Sequence, residues 1–163
     1  MRKLVLLALV SLLVPAAAFA RPVERGDGTL AVKNAVGQIS VSAKGTMLGR
    51  VADGTITIVD LSPNSTNNVQ VFGYDSKPRV RADGRTVYQG TDVRFRLLGG
   101  QYSVLVVGSG INLSAVGRGR IVAQGVTDGL FSADGSPFEP VQPLLYSDTF
   151  GQQQQQPQPQ QQP

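Results

Sequence analysis

The sequence predicts an all-β fold, a single antiparallel β-sandwich or barrel domain. Three observations carry that expectation. Apolar residues recur with period two along several stretches, five Asp-Gly pairs punctuate them, and helical periodicity is almost absent after residue 20. Period-two alternation marks a strand with one buried face, because successive side chains point to opposite sides of a sheet.

Residues 1–20 have the layout of an export signal, a short apolar helix. Arg2 and Lys3 make a positive start, and residues 4–14 are apolar apart from Ser11. Pro15 ends the run, and Ala18-Phe19-Ala20 puts small residues where a signal peptidase reads. The run is well short of the ~20 residues that a membrane-spanning helix needs. Cleavage is therefore expected after Ala20, giving a secreted or cell-envelope protein with no transmembrane segment. Losing Arg2 and Lys3 lowers Lys+Arg from 15 to 13 against 11 acidic residues, so net charge falls from +4 to +2. Nucleic acid is not indicated, since it calls for a strongly basic domain. The chain has no cysteine, so its core, not disulfides, must stabilise it.

After a linker at 21–27, the β domain is expected over 28–136. Leu30 and Val32 alternate with Ala31 and Lys33. Ile39, Val41 and Ala43 alternate with Ser40, Ser42 and Lys44, and Val93, Phe95 and Leu97 with Asp92, Arg94 and Arg96. Residues 102–107 are nearly continuously apolar, the pattern of a central strand covered on both faces. The pairs Asp27-Gly28, Asp53-Gly54, Asp83-Gly84, Asp128-Gly129 and Asp134-Gly135 read as hairpin turns, because Asp tolerates a left-handed backbone and Gly adopts it freely. That spacing predicts about ten strands.

A shift of 63 positions lays Gly37-Gln38-Ile39-Ser40-Val41 on Gly100-Gln101-Tyr102-Ser103-Val104, Gly45 on Gly108 and Gly54 on Gly117. The match suggests two pseudo-symmetric units, about 28–60 and 90–123, burying a face against each other; chance agreement in a Gly/Val/Ser-rich chain is the alternative. Residues 137–150 contain Pro137, Pro140 and Pro143 and read as an irregular extension, with Phe138, Leu144, Leu145 and Tyr146 available to dock on the domain. The Gln/Pro tail, 151–163, cannot bury apolar area and is expected to be disordered.

The absence of His and Cys excludes the Ser-His-Asp triad, thiol nucleophiles and zinc sites built on these ligands. No Asp-x-Asp-x-Asp cluster supports calcium. Gly108-Ser109-Gly110 and Gly117-Arg118-Gly119 lack the rest of a phosphate-binding fingerprint and read as turns or bulges. No cofactor is implied. Carboxylates outside the Asp-Gly pairs are Glu24, Asp60, Asp75, Asp92, Glu139 and Asp148. None lies in an acid/base motif, so a carboxylate-dependent hydrolase of envelope glycans is an alternative function; a barrel holding a small ligand is another.

The leading expectation is a non-catalytic module, structural or binding an anionic envelope polymer. Arg79 and Arg81, Arg94 and Arg96, and Arg118 and Arg120 are spaced i, i+2, which directs each pair to one face of a strand. On neighbouring strands they would make a basic stripe, suited to polymers whose phosphates or carboxylates Arg binds bidentately. A solvated strand face that discourages edge aggregation is the more ordinary account of them, since charge on an exposed face is common.

The stretches Leu48-Gly49-Arg50, Gly54-Thr55-Ile56-Thr57-Ile58-Val59-Asp60, Asp92-Val93-Arg94-Phe95-Arg96-Leu97-Leu98-Gly99-Gly100 and Gly110-Ile111-Asn112-Leu113-Ser114-Ala115-Val116-Gly117-Arg118-Gly119 carry a resemblance. Across about residues 28–125 the chain resembles an uncharacterised group of small exported β-rich proteins of high-GC Gram-positive bacteria. The resemblance implies an envelope compartment and brings no functional residue with it.

Overall fold

The structure, a computed structural model, describes residues 27–62, 68–142 and 145–151. The export signal, Glu24, Leu144 and the tail from residue 152 lie outside the described residues. Within them the chain is all β, with no helix. Two strands of 33 residues dominate, β1 (Gly28–Asp60) and β5 (Gln101–Ala133). Between them come β2 (Asn68–Phe72), β3 (Arg79–Val80) and β4 (Thr86–Leu98); after them come β6 (Glu139–Pro140) and β7 (Leu145–Phe150). They form one antiparallel sheet in the order β2-β4-β1-β5-β6, with β3 also on β4 and β7 on β5. The sheet is not closed into a barrel, which corrects that half of the expectation.

β1 and β5 run against each other from Leu30 opposite Ala133 to Asp60 opposite Tyr102. The ribbon also coils back on itself. Residues 28–44 of β1 lie between both halves of β5, so Leu30 opposes Ala115 as well as Ala133, and Ile39 opposes both Val106 and Ala123. Strands this long must bend to bury one face around a common core. They bend where Gly45 faces Gly117 and Gly54 faces Gly108. These four glycines have φ between 146° and 156°, and a Cβ on any of them would come within 2.1 or 2.2 Å of a carbonyl oxygen on the opposite strand. Glycine therefore lets the backbones approach there.

The strand count differs from the expected ten because the alternation changes phase inside continuous strands. Lys33 and Asn34 are both exposed, Asn34 has φ 50°, and the buried set passes from Leu30 and Val32 to Ala35 and Ile39. Ala52 and Asp53 are also both exposed, and the buried set passes from Met47 and Val51 to Ile56 and Ile58, here with the register against β4 unchanged from Val51 opposite Val93 to Gly54 opposite Gly90. An extra residue in a strand reverses which face the next side chains occupy, and in sequence this looks like a turn. Asp53-Gly54 and Asp128-Gly129 thus lie within β1 and β5, while Asp83-Gly84 and Asp134-Gly135 do form turns.

The expected alternating positions reach the core: Leu30, Val32, Ile39, Val41, Val93, Phe95 and Leu97 are all buried in one cluster. Residues 102–107 are not covered on both faces. Tyr102, Val104 and Val106 are buried while Val107 is exposed, so this stretch alternates like its neighbours. The extension is also more regular than expected. β6 pairs with Leu130 and Phe131, and β7 pairs with residues 119–124 of β5. Phe150 is buried, Tyr146 packs its ring on Phe131 at 4.7 Å between centroids, and Leu145 stays exposed.

Candidate functional site

The outer face of the sheet carries the alternate residues of the same strands. Arg94 on β4 is opposite Arg50 on β1, and Arg50 is opposite Asn112 on β5. Asn112 Oδ1 accepts the Asn34 N–H at 3.2 Å, while its Nδ2 donates to the Gly110 carbonyl at 3.0 Å. That side chain thereby holds the β1 bulge that presents Lys33. One register step along, Leu48 opposes Ser114, which opposes Ala31. Ser114 and Ala31 are short, so the surface dips between taller neighbours. The dip is an open groove of about 460 Å³ whose rim includes Lys33, Arg50, Arg94 and Asn112.

Asp92 organises two of the rim cations. It hydrogen-bonds the Arg50 Nε, and its Oδ2 accepts Arg94 Nη2 at 2.6 Å. The Arg94 hydrogen bond first, and the Arg50 hydrogen bond second, hold the Asp92 carboxyl below the usual carboxylate range. A guanidinium has five N–H donors, so each arginine keeps donors for an anion in the groove after this contact. Lys33 Nζ lies 3.9 Å from the centre of the Phe138 ring. Three cations and one carboxylate leave the rim positive.

The six predicted arginines do not form one stripe. Arg94 and Arg96 share the outer face of β4, as their spacing requires. Arg79 is opposite Val87 on the same β4, seven positions from Arg94, or roughly 20 Å along a strand. Arg81 follows β3 and donates its N–H to the Arg85 carbonyl at 2.8 Å. Arg118 and Arg120 lie on β5 opposite Lys44 and Ser42, away from β4. Arg118 pairs with Asp27 at 3.4 Å, and Arg120 Nε donates to Ser147 Oγ of β7 at 2.9 Å. The coiled ribbon interposes 45–60, 101–117 and 28–44 between the two sets, an arrangement that spacing along the chain does not encode. Arg50 and Lys33 joined the site across strands. Arg50 stands alone in sequence with no i, i+2 partner, and Lys33 is one polar position of an alternating strand, so neither carries a signal in the sequence.

The carboxylates occupy other places. Asp75 Oδ2 accepts the Thr91 N–H at 3.1 Å, Asp60 Oδ1 accepts the Ser62 N–H at 2.8 Å, and Asp148 Oδ2 accepts the Tyr146 hydroxyl at 2.9 Å. Asp60, Asp75, Glu139 and Asp148 do not line the groove, and Asp92 stands behind its rim, on Arg50 and Arg94. Among the described residues no cluster of three or more acidic side chains could hold a metal ion.

No family model, curated protein or solved structure matches the chain.

Proposed function

We propose that the protein is a non-catalytic module of the cell envelope or its exterior that binds an anionic polymer through the groove bounded by Lys33, Arg50 and Arg94. The observation that supports this most is the convergence of these three cations from separate strand segments on one open concavity, with Asp92 aligning two of them. An open groove suits a chain-like ligand that passes through it, whereas small molecules favour enclosed pockets. Export through the signal at 1–20, with cleavage after Ala20, would put the groove among the anionic polymers of an envelope, the compartment that the family resemblance also implies. The facing glycine pairs Gly45/Gly117 and Gly54/Gly108 exchange under the 63-residue shift, which favours reading β1 and β5 as members of two related units.

The test is retention of the purified protein on immobilised dextran sulfate, a generic polyanion, across a salt gradient. Retention should fall steeply as salt rises, because exposed charges are screened within a Debye length of about 8 Å at physiological ionic strength. Arg50→Ser with Arg94→Ser should lower retention more than Arg79→Ser with Arg81→Ser, although both remove two charges. No retention, salt-insensitive retention, or equal losses in the two double variants would overturn the assignment.

A further inference from the structure

The row of cations meets an exposed aromatic ring at each end. Phe72 on β2 is opposite Arg94 and is 58% exposed. Its neighbour Val71 packs toward the core, so Phe72 faces outward with Arg94. At the other end Phe138 is 40% exposed beside Lys33. Leu48, also exposed, and the methyl of Ala31 lie between, within the groove. Successive strand segments are about 4.8 Å apart, so the path from Phe72 to Lys33, four steps across the sheet, covers roughly 20 Å.

We infer that the groove takes an acidic polysaccharide, with carboxylate-bearing sugar rings lying across the strands from Phe72 to Phe138; this rests on the anionic-polymer assignment above. A phosphate polymer on a flexible polyol carries charge but no extended apolar face, so exposed phenyl rings do little for it. A sugar ring offers a face of C–H groups that packs against an aromatic ring, and its edge carries the carboxylate. Arg94 stands opposite Phe72 and spends Nε and one Nη2 N–H on Asp92, which leaves its other Nη donors to receive that carboxylate. Cations between two apolar ends thus match a ligand that alternates apolar faces with charge.

The experiment compares binding of the purified protein to polygalacturonate, to polyphosphate and to dextran sulfate at one ionic strength, by calorimetry. Polygalacturonate should bind more tightly than polyphosphate. Phe72→Ala should weaken polygalacturonate roughly three- to tenfold and leave polyphosphate unchanged, while Phe72→Trp should retain polygalacturonate binding. Phe138→Ala should repeat the selective loss at the other end of the groove, and both rings are exposed enough for the variants to fold. Polyphosphate binding as tight as polygalacturonate, or ring variants that affect both polymers alike or neither, would overturn the polysaccharide inference and leave the polyanion assignment standing. Failure to bind all three polymers would overturn both.

Discussion

Gly45 and Gly117 face each other across the β1–β5 ribbon with φ of 148° and 146°, and a Cβ added to either would meet a carbonyl oxygen of the opposite strand. A Cβ on Gly117 would stand 2.1 Å from the Lys44 oxygen, and one on Gly45 would stand 2.1 Å from the Val116 oxygen. Gly117→Ala should therefore cost about 3 kcal/mol or more, since backbone must move as well as adopt a strained φ. Gly84→Ala is the control. Gly84 also has positive φ, at 80°, but nothing lies within 4 Å of its added Cβ, so the cost should be near 1 kcal/mol, about that of the left-handed backbone alone. Urea unfolding of the two variants would separate close approach from backbone strain, and equal costs would contradict this account.

Asp134 ties the two ends of the described domain together. Its Oδ1 accepts the Thr29 N–H at 3.0 Å, and its carboxylate accepts the Gly151 N–H at 3.2 Å. Asp134→Ala should destabilise by roughly 1–3 kcal/mol by removing the acceptor for both. Asp134→Asn should cost less, because Asn keeps one carbonyl oxygen and tolerates the φ of 50° seen there. Hydrogen exchange at Thr29 and Gly151 should quicken together in the alanine variant.

Phe150→Ala should lose about 3–5 kcal/mol, the usual cost of truncating a buried phenylalanine. The Phe150 side chain is 1% exposed. Leu145→Ala on the same strand should change little, since Leu145 is 65% exposed. A small effect at Phe150 would mean that β7 is not part of the cooperative unit.

Alkaline pH should weaken the fold. Burial raises the Tyr146 hydroxyl, with the Asp148 hydrogen bond and the charges of Asp148 and Glu139 adding to it. Burial also raises Tyr102, aided by Asp60, and Tyr88, aided by Tyr74. For a tyrosine raised on folding, the native state holds its proton more tightly than the unfolded chain does. Stability is then fully present below about pH 10, the unfolded value, and falls as pH rises toward the folded value. The urea midpoint should drop above that pH, and Tyr146→Phe should reduce the slope of the drop.

Asp92→Asn should strengthen polyanion retention at low salt by up to about fivefold, because the rim gains one net positive charge. The gain should vanish at high salt. Asn tolerates the φ of 61° at this position, so the fold should be little changed. Weaker retention would mean that alignment of Arg50 and Arg94 by the carboxylate matters more than the added charge.

Much of the fold was legible in the sequence because local alternation reports burial directly. Val93, Phe95 and Leu97 point inward, and Arg94 and Arg96 point outward, as their spacing says. Changes of phase within a strand defeated the same reasoning elsewhere. At Lys33-Asn34 and Ala52-Asp53 the period changes phase without the chain turning, so a continuous strand looks like several. β7 was missed because its sequence lies among prolines, and pairing with residues 119–124 of β5 is what makes it a strand.

The sequence by itself determined the class of the fold, the face each short run buries and the absence of thiol and imidazole chemistry, because these depend on residue identity and on neighbours one or two positions away. Only the tertiary structure decided which cations meet. Arg50 and Asp92 are 42 positions apart in sequence, and it is the pairing of β1 with β4, then of β1 with β5, that sets Arg94, Arg50 and Asn112 in one row. Register between strands is fixed by long-range packing around the coiled core, and no property of either arginine's own neighbourhood carries that information.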